Sequence, residues 1–136
     1  MDNREPRLAE MIAVVSKESH EIERLLGQLD ALILRDETKQ SAWLAVIGKL
    51  SEICIEHIDN EENLMRAIRY NMLEKHCDDH QIILDIFAKS LADCERFQQC
   101  NLVASSRAVR EALYSHIAHH DDPLLDAVRE VHMQRV

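Results

Sequence analysis

The sequence predicts an all-α protein: four helices in an up-down-up-down antiparallel bundle, forming a single domain over residues 1–136. Two observations lead there. Apolar residues recur at spacings of three and four in four long stretches, which is the period of an amphipathic helix and not the alternation of a strand. Turn-formers and strand-formers are scarce, with 2 Gly, 2 Pro, 1 Trp, 2 Tyr and 2 Phe in 136 residues, so a β fold with its many turns has nothing to be built from.

The first helix runs from Leu8 to about Leu34, with Leu8, Met11, Ile12, Val15, Ile22, Leu25, Leu26, Leu29 and Ile33 on its apolar stripe. Arg35-Asp36-Glu37-Thr38-Lys39 is polar and breaks the pattern. Trp43, Val46, Ile47, Leu50, Ile53, Cys54, Leu64, Met65 and Ile68 mark the second helix, and Tyr70-Asn71 the next connection. The third stripe is Leu73, Ile83, Leu84, Phe87, Leu91 and Cys94; after Gln98-Gln99-Cys100-Asn101 the fourth carries Leu102, Val109 and Leu113. Long helices with short connections pack side by side and alternate in direction.

Composition excludes several functions. Acids exceed bases, 25 to 16, for a net charge of −9, and such a surface repels a phosphate backbone, so no nucleic-acid partner is expected. No segment approaches the roughly 20 apolar residues of a membrane span. The N-terminal MDNREPRLAE carries acids and no apolar run, so no signal peptide is expected there, and Cys54, Cys77, Cys94 and Cys100 form no CxxC pair. A cytoplasmic protein with reduced thiols is the expectation.

Histidine is over-used, at 8 residues. His57 and Glu61 stand one turn apart on the apolar face of the second helix, His76 and His80 repeat this on the third, and His116 lies on the core face of the fourth with Asp121 five residues on. Chance alone supplies about half an HxxxH pair at this histidine content, so spacing by itself decides little. Phase decides more, because every pair faces inward. Desolvating several imidazoles and two carboxylates costs several kcal/mol unless a cation accepts their lone pairs. The donors outnumber the roughly four that one zinc takes and suit two metals, of which iron fits an imidazole and carboxylate set best.

From His57 to His80 the chain reads HIDNEENLMRAIRYNMLEKHCDDH. This resembles the hemerythrin family in its bacterial single-domain form (hemerythrin-like, HHE cation-binding), whose pattern is His-Phe-x-x-Glu-Glu-x-x-Met, then Tyr, then His-x-x-x-His. Here those positions are His57, Glu61, Glu62, Met65, Tyr70, His76 and His80. LYSHIAHHD is similar to the family's Leu-x-x-His-Ile-x-x-x-Asp at Leu113, His116, Ile117 and Asp121. The resemblance implies a non-heme, oxo- or hydroxo-bridged centre of two iron ions. His76, His80 and His116 would bind one iron, His20 and His57 the other, and Glu61 and Asp121 would bridge them. Dioxygen would bind reversibly at the iron with fewer histidines, beside Leu113, in a carrier, store or sensor without turnover. Peroxide or nitric oxide reduction, or an iron- or redox-responsive interaction with another protein, are the competing functions. No Glu has a His three residues on, which disfavours ferroxidase chemistry. The sequence names no protein partner.

The chain departs from that pattern in places. His20 lies about 160° from the centre of the first helix's stripe, so either the helix bends near Ser16 to Ser19 or Glu18, in phase with Val15 and Ile22, is the inward residue. Pro123 disfavours helical geometry at Asp122, and a kink or stop is expected around Asp121. A straight helix would turn Asp121 about 140° from His116. Ile58 and Ala112 stand where the family has Phe and often Trp, which predicts a looser pocket. His119, His120 and His132 are surplus, with surface or supporting roles expected, and Cys77 is expected to be a small packed residue.

Overall fold

The computed structural model describes residues 4–135, with side chains from Arg7 to Gln134 apart from Cys100. Among them, α1 spans Arg4–Leu34, α2 Gln40–Ala67, α3 Leu73–Arg96 and α4 Gln99–His116. A five-residue π turn, Ile117–Asp121, leads directly into α5, Asp122–Arg135. Since α4, the π turn and α5 are continuous, the described chain is four helical segments without a strand, consistent with a four-helix bundle. The third connection is tighter than expected: the helix resumes at Gln99, so Gln99, Cys100 and Asn101 belong to the first turn of α4.

All three connections use one device. Asp36, Arg69 and Phe97 adopt left-handed φ values of 50°, 55° and 46°. In each case the residue itself and the one after it bond back to the helix end: Asp36 and Glu37 to Ile33 O and Leu32 O, Arg69 and Tyr70 to Arg66 O and Met65 O, Phe97 and Gln98 to Cys94 O and Asp93 O. These are Schellman caps, which satisfy carbonyls the helix leaves free. Glycine usually occupies the left-handed position; here residues with a Cβ do, each at a cost of about 1 kcal/mol. The first and third connections are also tied together. Gln99 Nε2 donates to Glu37 O at 2.9 Å, Gln40 Nε2 donates to Cys94 O at 3.1 Å, and the buried Trp43 donates Nε1–H to Glu37 O at 2.9 Å.

The core is two apolar clusters. The larger unites Ile22 to Ile33 of α1, Trp43 to Cys54 of α2, Ile83 to Cys94 of α3 and Leu102 to Leu113 of α4. The smaller holds Leu8 and Val15 of α1, Leu64 and Met65 of α2, and Leu124 and Val128 of α5, with Leu73 and Cys77 of α3 against it. Each fully buried leucine in them contributes about 2 kcal/mol. Every segment therefore passes from one cluster to the other, in the order smaller to larger in α1 and α3 and larger to smaller in α2 and in α4 with α5. The stretch between the clusters is where the polar residues lie.

Of the kink or stop expected around Asp121, the stop does not occur: the helix continues past Pro123 after a π turn. Asp122 keeps right-handed helical angles, φ −62° and ψ −45°, and its N–H bonds to Ile117 O, five residues back. The wider i to i+5 turn absorbs an extra residue. Pro123 falls just inside the start of α5, where a missing N–H costs least. No helix among the described residues is long and apolar enough to cross a membrane.

Candidate metal centre

Between the two apolar clusters, α2 supplies His57 and Glu61, α3 His76 and His80, α4 His116, and the π turn Asp121, and all six are buried. His57/Glu61 and His76/His80 share faces because residues four apart on a helix stack. Asp121 joins His116 because of the π turn, which brings a residue five positions on to the face a straight helix gives to the fourth.

One ligand atom from each of Glu61, His76, His80, His116 and Asp121 lies within 4.8 Å of all the others. His76 Nε2 is 3.1 Å from His116 Nε2, 3.2 Å from Asp121 Oδ1 and 3.4 Å from Glu61 Oε1. His80 Nε2 is 3.1 Å from Glu61 Oε1, and His116 Nε2 is 2.9 Å from Asp121 Oδ1 and 3.8 Å from Glu61 Oε1. Donors bound to a common ion at about 2.1 Å sit roughly 3.0 to 3.4 Å apart. Most of the spacings here are close to the edges of a coordination shell, with His116 to Glu61 longer at 3.8 Å. Two imidazole nitrogens 3.1 Å apart cannot both carry protons toward each other. Asp121 Oδ1 and His57 Nε2 are buried without an aligned hydrogen-bond partner, a costly state for a polar atom that a bound cation relieves. The donor set therefore fits a metal, and this buried cluster of His, Glu and Asp can hold metal ions.

Three outer carboxylates fix the rings. His57 Nδ1–H donates to Glu18 Oε1 at 2.9 Å, His80 Nδ1–H to Glu62 Oε2 at 3.0 Å and His116 Nδ1–H to Asp79 Oδ2 at 2.6 Å. Each bond puts the proton on Nδ1 and leaves the Nε2 lone pair for the centre. Asn60 Nδ2 in turn donates to Glu18 Oε2 at 2.7 Å. His76 Nδ1 alone has no partner.

The electrostatics reflect a crowd of donors. Burial pushes the Glu61 carboxyl up, but the imidazoles of His116, His76 and His80 and the charge of His57 outweigh it and hold Glu61 well below the usual carboxylate range. Burial works against a proton on His116, yet Asp121, Glu61 and Asp79 raise its pKa to about 10. His76 is raised too, against burial, by Asp121 and Glu61. Without a cation, protons on these rings take its place as the partners of the carboxylates. Burial, with Asp121 and Glu61 nearby, pushes the Cys54 thiol up to about 12, and Cys54 is not among the residues whose ligand atoms converge.

His57, Glu61, His80, His116 and Asp121 all border a cavity of about 180 Å³, whose other walls include Cys54, Ile58, Ile83, Leu113 and Ile117 and whose rim includes Ser19, His20, Glu23, Asp122 and Arg129. Leu113, the expected pocket leucine, is at the wall. His20 is not brought into the donor cluster. Helix α1 is uninterrupted through Ser16 to Ser19, so its phase holds, and His20 is exposed at the cavity rim. Glu18 is the α1 residue turned toward the site, through His57. His57 faces Glu61 Oε1 at 3.7 Å, outside the group of five. Glu61 thus reaches both His57 and the three-histidine group.

Sequence reasoning missed Asp79 and gave Glu62 no role. Each is next to a donor in sequence, so it points off the donor's face and reaches a ring on a neighbouring helix; an acid flanking an inward histidine, as in HCDDH, is the available signal. His119, exposed, donates Nδ1–H to Ser115 O at 2.9 Å. The chain matches no family model, no curated protein and no solved structure.

Proposed function

We propose that the protein is a hemerythrin-like, non-heme di-iron protein that binds dioxygen reversibly, in an up-down-up-down bundle. The alternating order in which the helices visit the two core clusters supports that topology. The observation that carries the function is the convergence of buried His76, His80, His116, Glu61 and Asp121 beside a largely apolar cavity, with unpartnered His57 Nε2 across Glu61. His76, His80 and His116 would hold one ion, His57 the other, and Glu61 and Asp121 would lie between them. A donor set of imidazole and carboxylate without thiolate suits iron, and it exceeds what a single zinc takes. With His20 outside the donor cluster, His57 would be the one imidazole left to hold a second ion.

When bound, the ferrous pair supplies the electrons and the vacant position that hold dioxygen. The chain does the rest. Glu18, Glu62 and Asp79 keep the rings oriented, each holding a ring's Nδ1 proton so that Nε2 is the atom turned to the centre. Leu113, Ile117, Ile58 and Ile83 make a wall that excludes bulk water, which slows irreversible oxidation. At about 180 Å³ the cavity has room for a diatomic gas beside the donors.

Purified protein should contain two irons per chain, and its anaerobic ferrous form should gain a visible charge-transfer band in air that argon removes. Zinc alone, a single iron, or immediate irreversible oxidation would overturn the reading, and sustained turnover of peroxide or nitric oxide would replace it with an enzyme.

A further inference from the structure

A second group of side chains, sharing His116 with the inner donors, also has the composition of a metal site. We propose that Asp79, His116 and His120 form a solvent-facing site for a divalent cation, joined to the inner centre through the two nitrogens of the His116 ring. Their ligand atoms lie within 4.8 Å of one another. Asp79 Oδ2 is 2.6 Å from His116 Nδ1 and 3.9 Å from His120 Nε2. The His116 and His120 rings stack, with centroids 5.2 Å apart and planes 21° apart.

A cation held at about 2.1 Å spans donors up to roughly 4.2 Å apart, so one ion reaches Asp79 and His120 together. The 2.6 Å contact now holds the Nδ1 proton of His116. On binding, that proton leaves to solvent, the cation takes its place on Nδ1, and Asp79 changes from hydrogen-bond acceptor to ligand. The side chains of Asp79 and His120 are each 27% exposed, against 9% or less for the inner donors, so the ion arrives from water and keeps water in its remaining positions. Two imidazoles and a carboxylate select zinc, cobalt, nickel or copper over magnesium or calcium. His120 is available because the π turn hands the inner position to Asp121.

This site goes beyond the dioxygen reading and stands without it. The test is a Co²⁺ titration of the full-length metal-free protein, followed by visible absorption and calorimetry, for the wild type, His120→Ala and Glu61→Gln, with helicity by circular dichroism checking each fold. The wild type should bind one more Co²⁺ than His120→Ala, and the extra ion should release about one proton, be removed first by chelator and be unaffected by Mg²⁺. Glu61→Gln should keep that ion while losing inner ones. If the inner reading alone fails, the wild type binds a single Co²⁺ and His120→Ala none, which still supports the outer site. Equal stoichiometry and equal affinities in the wild type and His120→Ala would overturn it.

Discussion

Asp79 on α3 accepts the Nδ1 proton of His116 on α4 across 2.6 Å, the shortest of the three carboxylate–imidazole contacts that surround the donor cluster. It aims the lone pair of the ring whose Nε2 meets both Glu61 and Asp121. Removing such an orienting partner lowers metal affinity about 10- to 100-fold. Asp79→Ala should fall in that range, measured by competition with a chromophoric chelator, with Asp79→Asn in between because its carbonyl still accepts the proton.

The two α1 residues should respond oppositely. His20→Ala should leave metal content unchanged, since the ring is exposed at the rim. Glu18→Ala should lower it, since His57 loses the acceptor that fixes its tautomer. Elemental analysis after identical loading checks both, and loss of metal in the His20 variant would place that residue among the ligands after all.

The metal-free protein should lose stability as pH rises from 7 to 10. Its His116 pKa is raised from 6.5 to about 10, so the stabilisation from the protonated ring is complete below about 6.5 and disappears as pH climbs through 10. The depressed Glu61 carboxyl acts in the other direction: its contribution is present above its ordinary value of 4.5 and is lost as pH falls through its lowered one. Urea midpoints of chelated protein should therefore decline on both flanks, while a loaded centre, having exchanged those protons for metal, flattens the alkaline side. An apoprotein as stable at pH 10 as at pH 7 would contradict this.

Arg69→Gly should stabilise the fold. Arg69 holds φ 55° at the end of α2 and its side chain is exposed, so glycine relieves about 1 kcal/mol of left-handed strain without removing a packing contact. Chemical denaturation should show the gain with metal content unaltered; a loss would mean that the arginine makes a contact outweighing the strain.

The helices and the inward histidines were legible because a burial stripe has the period of the helix that carries it. Trp43, Leu50, Cys54, His57, Glu61, Leu64 and Met65 are all buried, as their phase requires, and the phase of His20 likewise pointed to its exposure. Less legible was anything depending on a neighbouring helix. Glu62 and Asp79 lie off the faces of their own donors, so no spacing within α2 or α3 reveals which ring they meet. Asp121 was readable as a candidate five residues after His116, but five residues of straight α-helix would turn it away, and nothing in the spacing revealed the widened turn that brings it in.

That widened turn has a consequence for the chain's tolerance of insertions and deletions. Counted from His116 with one residue removed, Asp121, Leu124 and Val128 fall at offsets of four, seven and eleven, the positions of one helix face. The π turn is thus a surplus residue stored in place. Deleting Ala118 should keep the carboxylate and the smaller core cluster in register, whereas deleting two residues would rotate all that follows by about 100°. The single deletion would also return Pro123 to the interior of an unbroken α-helix, at a cost of about 3 kcal/mol. Removing Ala118 should therefore be tolerated well only together with Pro123→Ala, which makes the extra residue and the proline a matched pair that can be gained or lost only in step.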